Sequence, residues 1–193
     1  PPLTTRRQRQ MCIRDRLKSI SEKTGAKVNY IPVLLGGIFK ATNNNPPMIQ
    51  FAEVKGKLEY QSLEISRFIE RHGLHSFKMN PHFPVISLQI IRGAIAAEFD
   101  GYLEEYIDKV LVHMWEQPKK MDDPEVIKQA FIESGLDADK LMSQIQDPNI
   151  KSKLISNTEA AVERGVFGIP TFFVDDEIFF GKDTLWQIEE LLL

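Results

Sequence analysis

The residues best suited to chemistry in this 193-residue chain lie near its C-terminus, in the stretch GVFGIPTFFVDDEIFFGKD at positions 165–183. Gly181, Lys182 and Asp183 set a cation and an anion side by side just before a helical pattern. Backbone N–H groups and the positive end of a helix dipole suit a ligand carboxylate there, and the Asp183 carboxylate suits a neighbouring ammonium. The structural alternative is that Asp183 is a favourable acid at a helix start while Thr184 and Gln187 form a capping box. On residue types alone the second reading is the sufficient one.

Other candidates are sparse. Cys12 is the sole cysteine, which excludes an internal disulfide, a Cys-x-x-Cys redox pair and a thiolate metal cluster. The four histidines lack a framing carboxylate pair, and His72 and His75 straddle Gly73; they read as solvated surface, with no metal site. Asn44 stands in an Asn-rich run before Pro46-Pro47, where turn formation is sufficient explanation.

These residues need elements to position them. Thr171–Val174 and Ile178–Phe180 are aromatic and β-branched, and the acidic run Asp175–Glu177 between them predicts a β-hairpin. A proline cannot donate to a ladder, so Pro170 belongs at a strand's first residue, and an X-Pro bond is where a cis peptide is least costly. Leu17 to Gly25 reads as the end of a helix, KVNYIPVLL as a strand and GGIFKATNNNPP as a loop. Helical spacing returns over Lys57–His72. The longest helical pattern, Leu88–Trp115, has Gly101 as a candidate interruption. Asp123-Pro124 opens a helix that Gly135 closes, LDADKLMSQIQDP gives a short one, and Asn149–Arg164 and KDTLWQIEELLL give two more.

Residues 1–16, PPLTTRRQRQMCIRDR, are arginine-rich and without apolar periodicity. They resemble translated adapter sequence, or serve as a basic flexible terminus. The remainder, with 42% hydrophobic residues and a net charge of −3 for the whole chain, is globular in composition and unlike a nucleic-acid binder. No apolar stretch reaches membrane-spanning length and no secretory segment opens the chain, so a cytoplasmic protein is expected. A helical block between an α/β half and a ββα half predicts an α/β, thioredoxin-like fold with an inserted all-helical domain. The expected segments are an atypical 1–16, a thioredoxin-like domain over 17–54 and 149–193, and the insertion at 55–148. The N-terminal strand such a sheet requires is missing or replaced.

With the motifs placed, residues 17–193 resemble the 2-hydroxychromene-2-carboxylate isomerase and kappa-class glutathione transferase family, within the DsbA-like group of thioredoxin folds. The likeness is carried by YIPVLLGGIFKATNNNPP, KLEYQSLEISRFIERHGL, MNPHFP with LQIIRGAIAAE, and most specifically ERGVFGIPTFFVDDEIFFGKD. It implies reduced glutathione as cofactor or co-substrate, and Pro170 as the cis-proline beside the active site. It further implies that the Ile169 backbone pairs with the cysteinyl part like an added strand, with the γ-glutamyl end at Gly181-Lys182-Asp183. The family has Asn or Ser where Lys182 stands, so Lys182 either adds attraction for the glutamyl carboxylate or blocks it. Asn44 matches an asparagine near the family's active-site mouth and is a candidate substrate contact; Ile86 replaces an asparagine found in many relatives.

The resemblance also implies a serine, in a Ser-Pro segment after the first strand, whose hydroxyl favours the glutathione thiolate. No such serine is identifiable, so the catalytic residue is unknown and little turnover is expected of the sequence as it stands. The expected function is a glutathione-dependent isomerase or transferase acting on small aromatic or electrophilic compounds, with no nucleic-acid or membrane partner. Monomer and homodimer both stay open. The alternatives are a DsbA-like thiol-disulfide oxidoreductase, which needs a second cysteine, and a non-catalytic thioredoxin-like binding domain.

Overall fold

Helix α1 runs from Arg9 to Thr24 and is longer than its sequence suggests. The computed structural model describes residues 9–193, with side chains from Ile13 onward; the expectations for residues 1–8, including that of a missing first strand, lie outside the described residues. Residues 13–16 are corrected: they are part of a helix whose apolar row is Ile13, Leu17 and Ile20, spaced by four and three, and Ile13 is only 2% exposed. Thr24 closes the helix by donating its hydroxyl to the Ile20 carbonyl at 2.8 Å, and Gly25 follows at φ 74°, a conformation that favours glycine.

The chain forms two compact units. The first holds the residues up to Asn29, Ile38–Phe77 and Val166–Leu193; the second holds Tyr30–Gly37 and Lys78–Gly165. These boundaries differ from the expected 17–54, 55–148 and 149–193. Helix α4 (Lys57–Arg71) goes with the first unit because Phe68 packs on that unit's core. Helix α9 (Pro148–Glu163) goes with the second because it packs along α5 (Leu88–Phe99).

In the first unit, strands β1 (Thr171–Val174) and β2 (Glu177–Phe180) pair antiparallel, with Phe172 opposite Phe179 and Val174 opposite Glu177. The turn is two residues, and Asp175 takes φ 51°, which aspartate tolerates better than most side chains. Alternation puts Phe172, Val174 and Phe179 on one face. There they pack against Ile13, Leu17 and Ile20 of α1 and against Leu185 and Ile188 of the last helix, α10 (Leu185–Leu192). Arg16 and Lys23 both pair with Glu189, tying α1 to α10 at the rim of this core.

The stretch KVNYIPVLL is not a strand: residues 25–34 carry no ladder, and among the described residues the sheet consists of β1 and β2. Two of its backbone groups are taken by side chains of α9. The Leu34 N–H donates to the Thr158 hydroxyl at 3.0 Å, and the Asn157 amide donates to the Pro32 carbonyl at 3.1 Å. The loop expected over GGIFKATNNNPP is instead helical in its first half, where α2 (Leu35–Ala41) runs, and its last residue, Pro47, opens the short helix α3 (Pro47–Gln50). Burial of Ile38 outweighs the poor helix propensity of Gly36 and Gly37, and a side chain at Gly37 would crowd the Thr158 methyl at 3.1 Å.

The second unit is helical. The long pattern over Leu88–Trp115 divides into α5 and α6 (Leu103–Trp115) around Gly101, at φ 80°. Helices α7 (Pro124–Glu133) and α8 (Ala138–Gln144) begin at Asp123 and Asp137, whose carboxylates accept from the backbone N–H of Glu125 and Lys140. The Tyr106 hydroxyl lies against Gly93, leaving no room for a side chain there, and donates to the Ile90 carbonyl at 2.8 Å. His113 corrects the surface reading of the histidines. It is 5% exposed, and its Nε2 meets the Ser134 hydroxyl at 2.9 Å. Burial, aided by the Lys119 ammonium, holds its pKa below the ordinary histidine value.

Candidate functional site

The candidate site is built within the first unit where β1 begins. The hairpin puts Pro170, just before β1, opposite Gly181, just after β2, and the Gly181 N–H donates to the Pro170 carbonyl at 3.0 Å. Gly181 has φ 84° and ψ 177°, a combination nearly confined to glycine. That geometry turns the chain sharply from β2 into the short 3-10 helix Lys182–Thr184. Pro170 and Lys182-Asp183, apart in sequence, are thereby brought to one corner. The Ile169–Pro170 peptide bond is cis.

Ile169 is half-buried, and among the described residues its backbone N–H and C=O take no hydrogen-bond partner. Its neighbours are fixed. The Thr171 hydroxyl donates to the Gly168 carbonyl at 2.6 Å. The Asn44 amide donates to the Phe167 carbonyl at 2.8 Å, while its oxygen accepts from the Asn45 N–H at the same length. The Phe167 and Phe180 rings meet at 4.6 Å between centroids. Ile169 therefore offers a backbone donor and acceptor, unpaired among the described residues, on a tethered segment just before β1.

Asp183 has a side chain 73% exposed, whereas Lys182 is buried to 5% side-chain exposure; the Lys182 ammonium pairs with Asp183 Oδ1 and sits 5.5 Å from the centroid of the Phe68 ring. The capping box does not form. Thr184 donates its hydroxyl to the Gly181 carbonyl at 3.1 Å, and no side-chain cap closes the start of α10.

All five residues singled out in the sequence, Asn44, Ile169, Pro170, Lys182 and Asp183, thus lie in this unit. Asn44 reaches the others through Phe167. Ile86, 70% exposed, belongs to the second unit. Sequence reasoning missed Phe167, Thr171 and Phe68. The apolar spacing of α4 marks Phe68 as a core residue, but nothing in it pairs that ring with a lysine. Among the described residues no group of three His, Cys, Asp or Glu side chains could hold a metal ion, and no helix is long and apolar enough to cross a membrane.

A helix-backed hairpin entered through proline, joined to a helical unit, is the arrangement expected of a thioredoxin-like fold with a helical insertion. Residues 11–193 match the family model described as the DSBA-like thioredoxin domain, and the chain belongs to that family. Human glutathione S-transferase kappa 1 is 27% identical over 83% of this chain and 75% of its own length. The 2-hydroxychromene-2-carboxylate isomerase of Sphingobium xenophagum is 25% identical over 92% of this chain and 89% of its own. That of Pseudomonas putida is 23% identical over 92% and 85%. A solved 2-hydroxychromene-2-carboxylate isomerase superposes with a TM-score of 0.80 at 22% identity, covering 94% of this chain and 87% of that one. The fold is therefore thioredoxin-like and DsbA-type with a helical insertion, and the related proteins are enzymes.

Proposed function

We propose that the chain is a glutathione-dependent isomerase or transferase for small aromatic or electrophilic compounds, acting in the cytoplasm. The observation that carries this reading is the Ile169 backbone, whose donor and acceptor are without partners among the described residues while the segment holding them is tied at Phe167 and Pro170. Such a segment suits an extended peptide adding itself as a short strand. Glutathione is a peptide of that kind, and the names of the relatives point to it and to isomerisation.

The residues present fit the group. Ile169 would pair with its cysteinyl portion, and Lys182 with Asp183 would face its γ-glutamyl end. Asn44 would act as a positioning residue, holding the Phe167 carbonyl and with it the course of the chain into Ile169. Bound glutathione would supply a thiol that is reactive as its thiolate. We assign no sulfur-activating side chain among the described residues. Thiol-disulfide exchange, the role suggested by the family's name, needs a second cysteine, and this sequence has one.

Calorimetric titration of the full chain with reduced glutathione tests the reading, followed by assay of 2-hydroxychromene-2-carboxylate isomerisation with and without the tripeptide. Saturable binding is expected, and any isomerisation should depend on glutathione. Absence of binding, or isomerisation at an equal rate without glutathione, would contradict it.

A further inference from the structure

Asp183 is the carboxylate available to an ammonium group at the proposed γ-glutamyl end, and it is already engaged. The Lys182 ammonium lies on its Oδ1, with the lysine side chain only 5% exposed and the aspartate 73% exposed. A buried ammonium without a counter-ion is strongly unfavourable. Among the described residues Asp183 is the one carboxylate that reaches Lys182, and the face of Phe68 at 5.5 Å is the remaining contact favourable to its charge. Lys182 therefore cannot release Asp183 without being left unpaired in a largely dehydrated position. A second cation arriving at the exposed oxygen of Asp183 meets a carboxylate whose charge is offset and a like charge beside it.

We propose that Lys182 sets the specificity of this corner: it acts as a built-in ammonium, so that the site gains little from a ligand α-ammonium and accepts thiol peptides that carry a carboxylate without one. The proposal rests on the glutathione reading and deepens it. With a small neutral residue at 182, the same Asp183 would be free to take the ligand's ammonium and would select for it.

The test compares two probes by calorimetry: reduced glutathione, and its deaminated analogue glutaryl-cysteinyl-glycine, which lacks the α-ammonium. In the unmodified chain the two should bind within about threefold of one another. Lys182→Met keeps the apolar stem against Phe68 and removes the charge; in this variant glutathione should be favoured by about tenfold or more, the worth of a charge-assisted hydrogen bond. Lys182→Ser should shift the ratio in the same direction, and circular dichroism checks that each variant folds. A tenfold or greater preference for glutathione in the unmodified chain, left unchanged by Lys182→Met, would overturn the proposal while leaving the glutathione reading intact. Failure of the unmodified chain and both variants to bind either probe would overturn both.

Discussion

The Gly181 N–H donates to the Pro170 carbonyl at 3.0 Å, and this bond joins the start of β1 to the turn that carries Lys182 and Asp183. Gly181 can make it because it adopts φ 84° with ψ 177°. No heavy atom lies within 4 Å of where its Cβ would be, so a substitution there is opposed by backbone strain rather than by crowding. Gly181→Ala should cost about 1–3 kcal/mol of stability, read by urea denaturation, and should weaken glutathione binding together with it. An alanine variant as stable as the parent would show that the turn can relax without loss.

Residues 13–16 are predicted to be integral to the domain. Ile13 lies in the cluster formed by α1 and α10 with Phe172, Val174 and Phe179 above it. Ile13→Ala removes buried methyl groups and leaves a cavity, at a cost of about 2–5 kcal/mol. A change in the denaturation midpoint too small to resolve would mean that α1 packs loosely at this end.

In the helical unit, Gly93 and Tyr106 should be coupled. A methyl group at Gly93 collides with the Tyr106 hydroxyl, so Gly93→Ala should destabilise by about 1–3 kcal/mol. Tyr106→Phe removes the hydroxyl that both obstructs the methyl group and bonds the Ile90 carbonyl. In the double variant, part of the Gly93→Ala cost should therefore disappear. Strict additivity in the double-mutant cycle would contradict this geometry.

Acid should weaken the fold before its carboxylates titrate. The pKa of His113 is lowered by burial and then by Lys119, with Glu133 opposing. The pKa of His72, whose ring lies 4.4 Å from that of Phe68 between centroids in a tilted arrangement, is lowered by burial, Arg16 and Arg71. Well above the ordinary histidine pKa of about 6.5 both imidazoles are neutral folded or unfolded. Below it the unfolded chain takes up protons that the folded chain resists, so stability declines as pH falls towards the folded values. Denaturation midpoints measured between pH 7.5 and 5.5 should fall, and His113→Gln should flatten that slope. A midpoint that does not change over this range would contradict the assignment.

Where the sequence was legible, the signal was local. The hairpin follows from Phe172-Phe173-Val174 and Ile178-Phe179-Phe180 around an acidic turn, and the helical block from caps such as Asp123-Pro124 and breaks such as Gly101. Local pattern misled where distant partners decide the outcome. KVNYIPVLL has strand composition, but no ladder forms there, and Asn157 and Thr158 of α9 take the Pro32 carbonyl and the Leu34 N–H. Ile13 was legible as the residue four before Leu17, yet the arginines around it hid the row. At the site, residue types pointed to Asn44, Ile169, Pro170, Lys182 and Asp183. That Lys182 is buried under Phe68 and paired with its own neighbour depends on a ring from a separate helix, which no spacing reveals.

The Ile169 backbone carries the proposed function. Amide NMR of the full chain titrated with reduced glutathione addresses it directly, because the Ile169 N–H has no partner among the described residues until a ligand strand provides one. A saturable shift of the Ile169 resonance and slower hydrogen exchange at that amide are expected, following the calorimetric binding curve. Saturable binding that leaves the Ile169 amide unshifted and unprotected would contradict it.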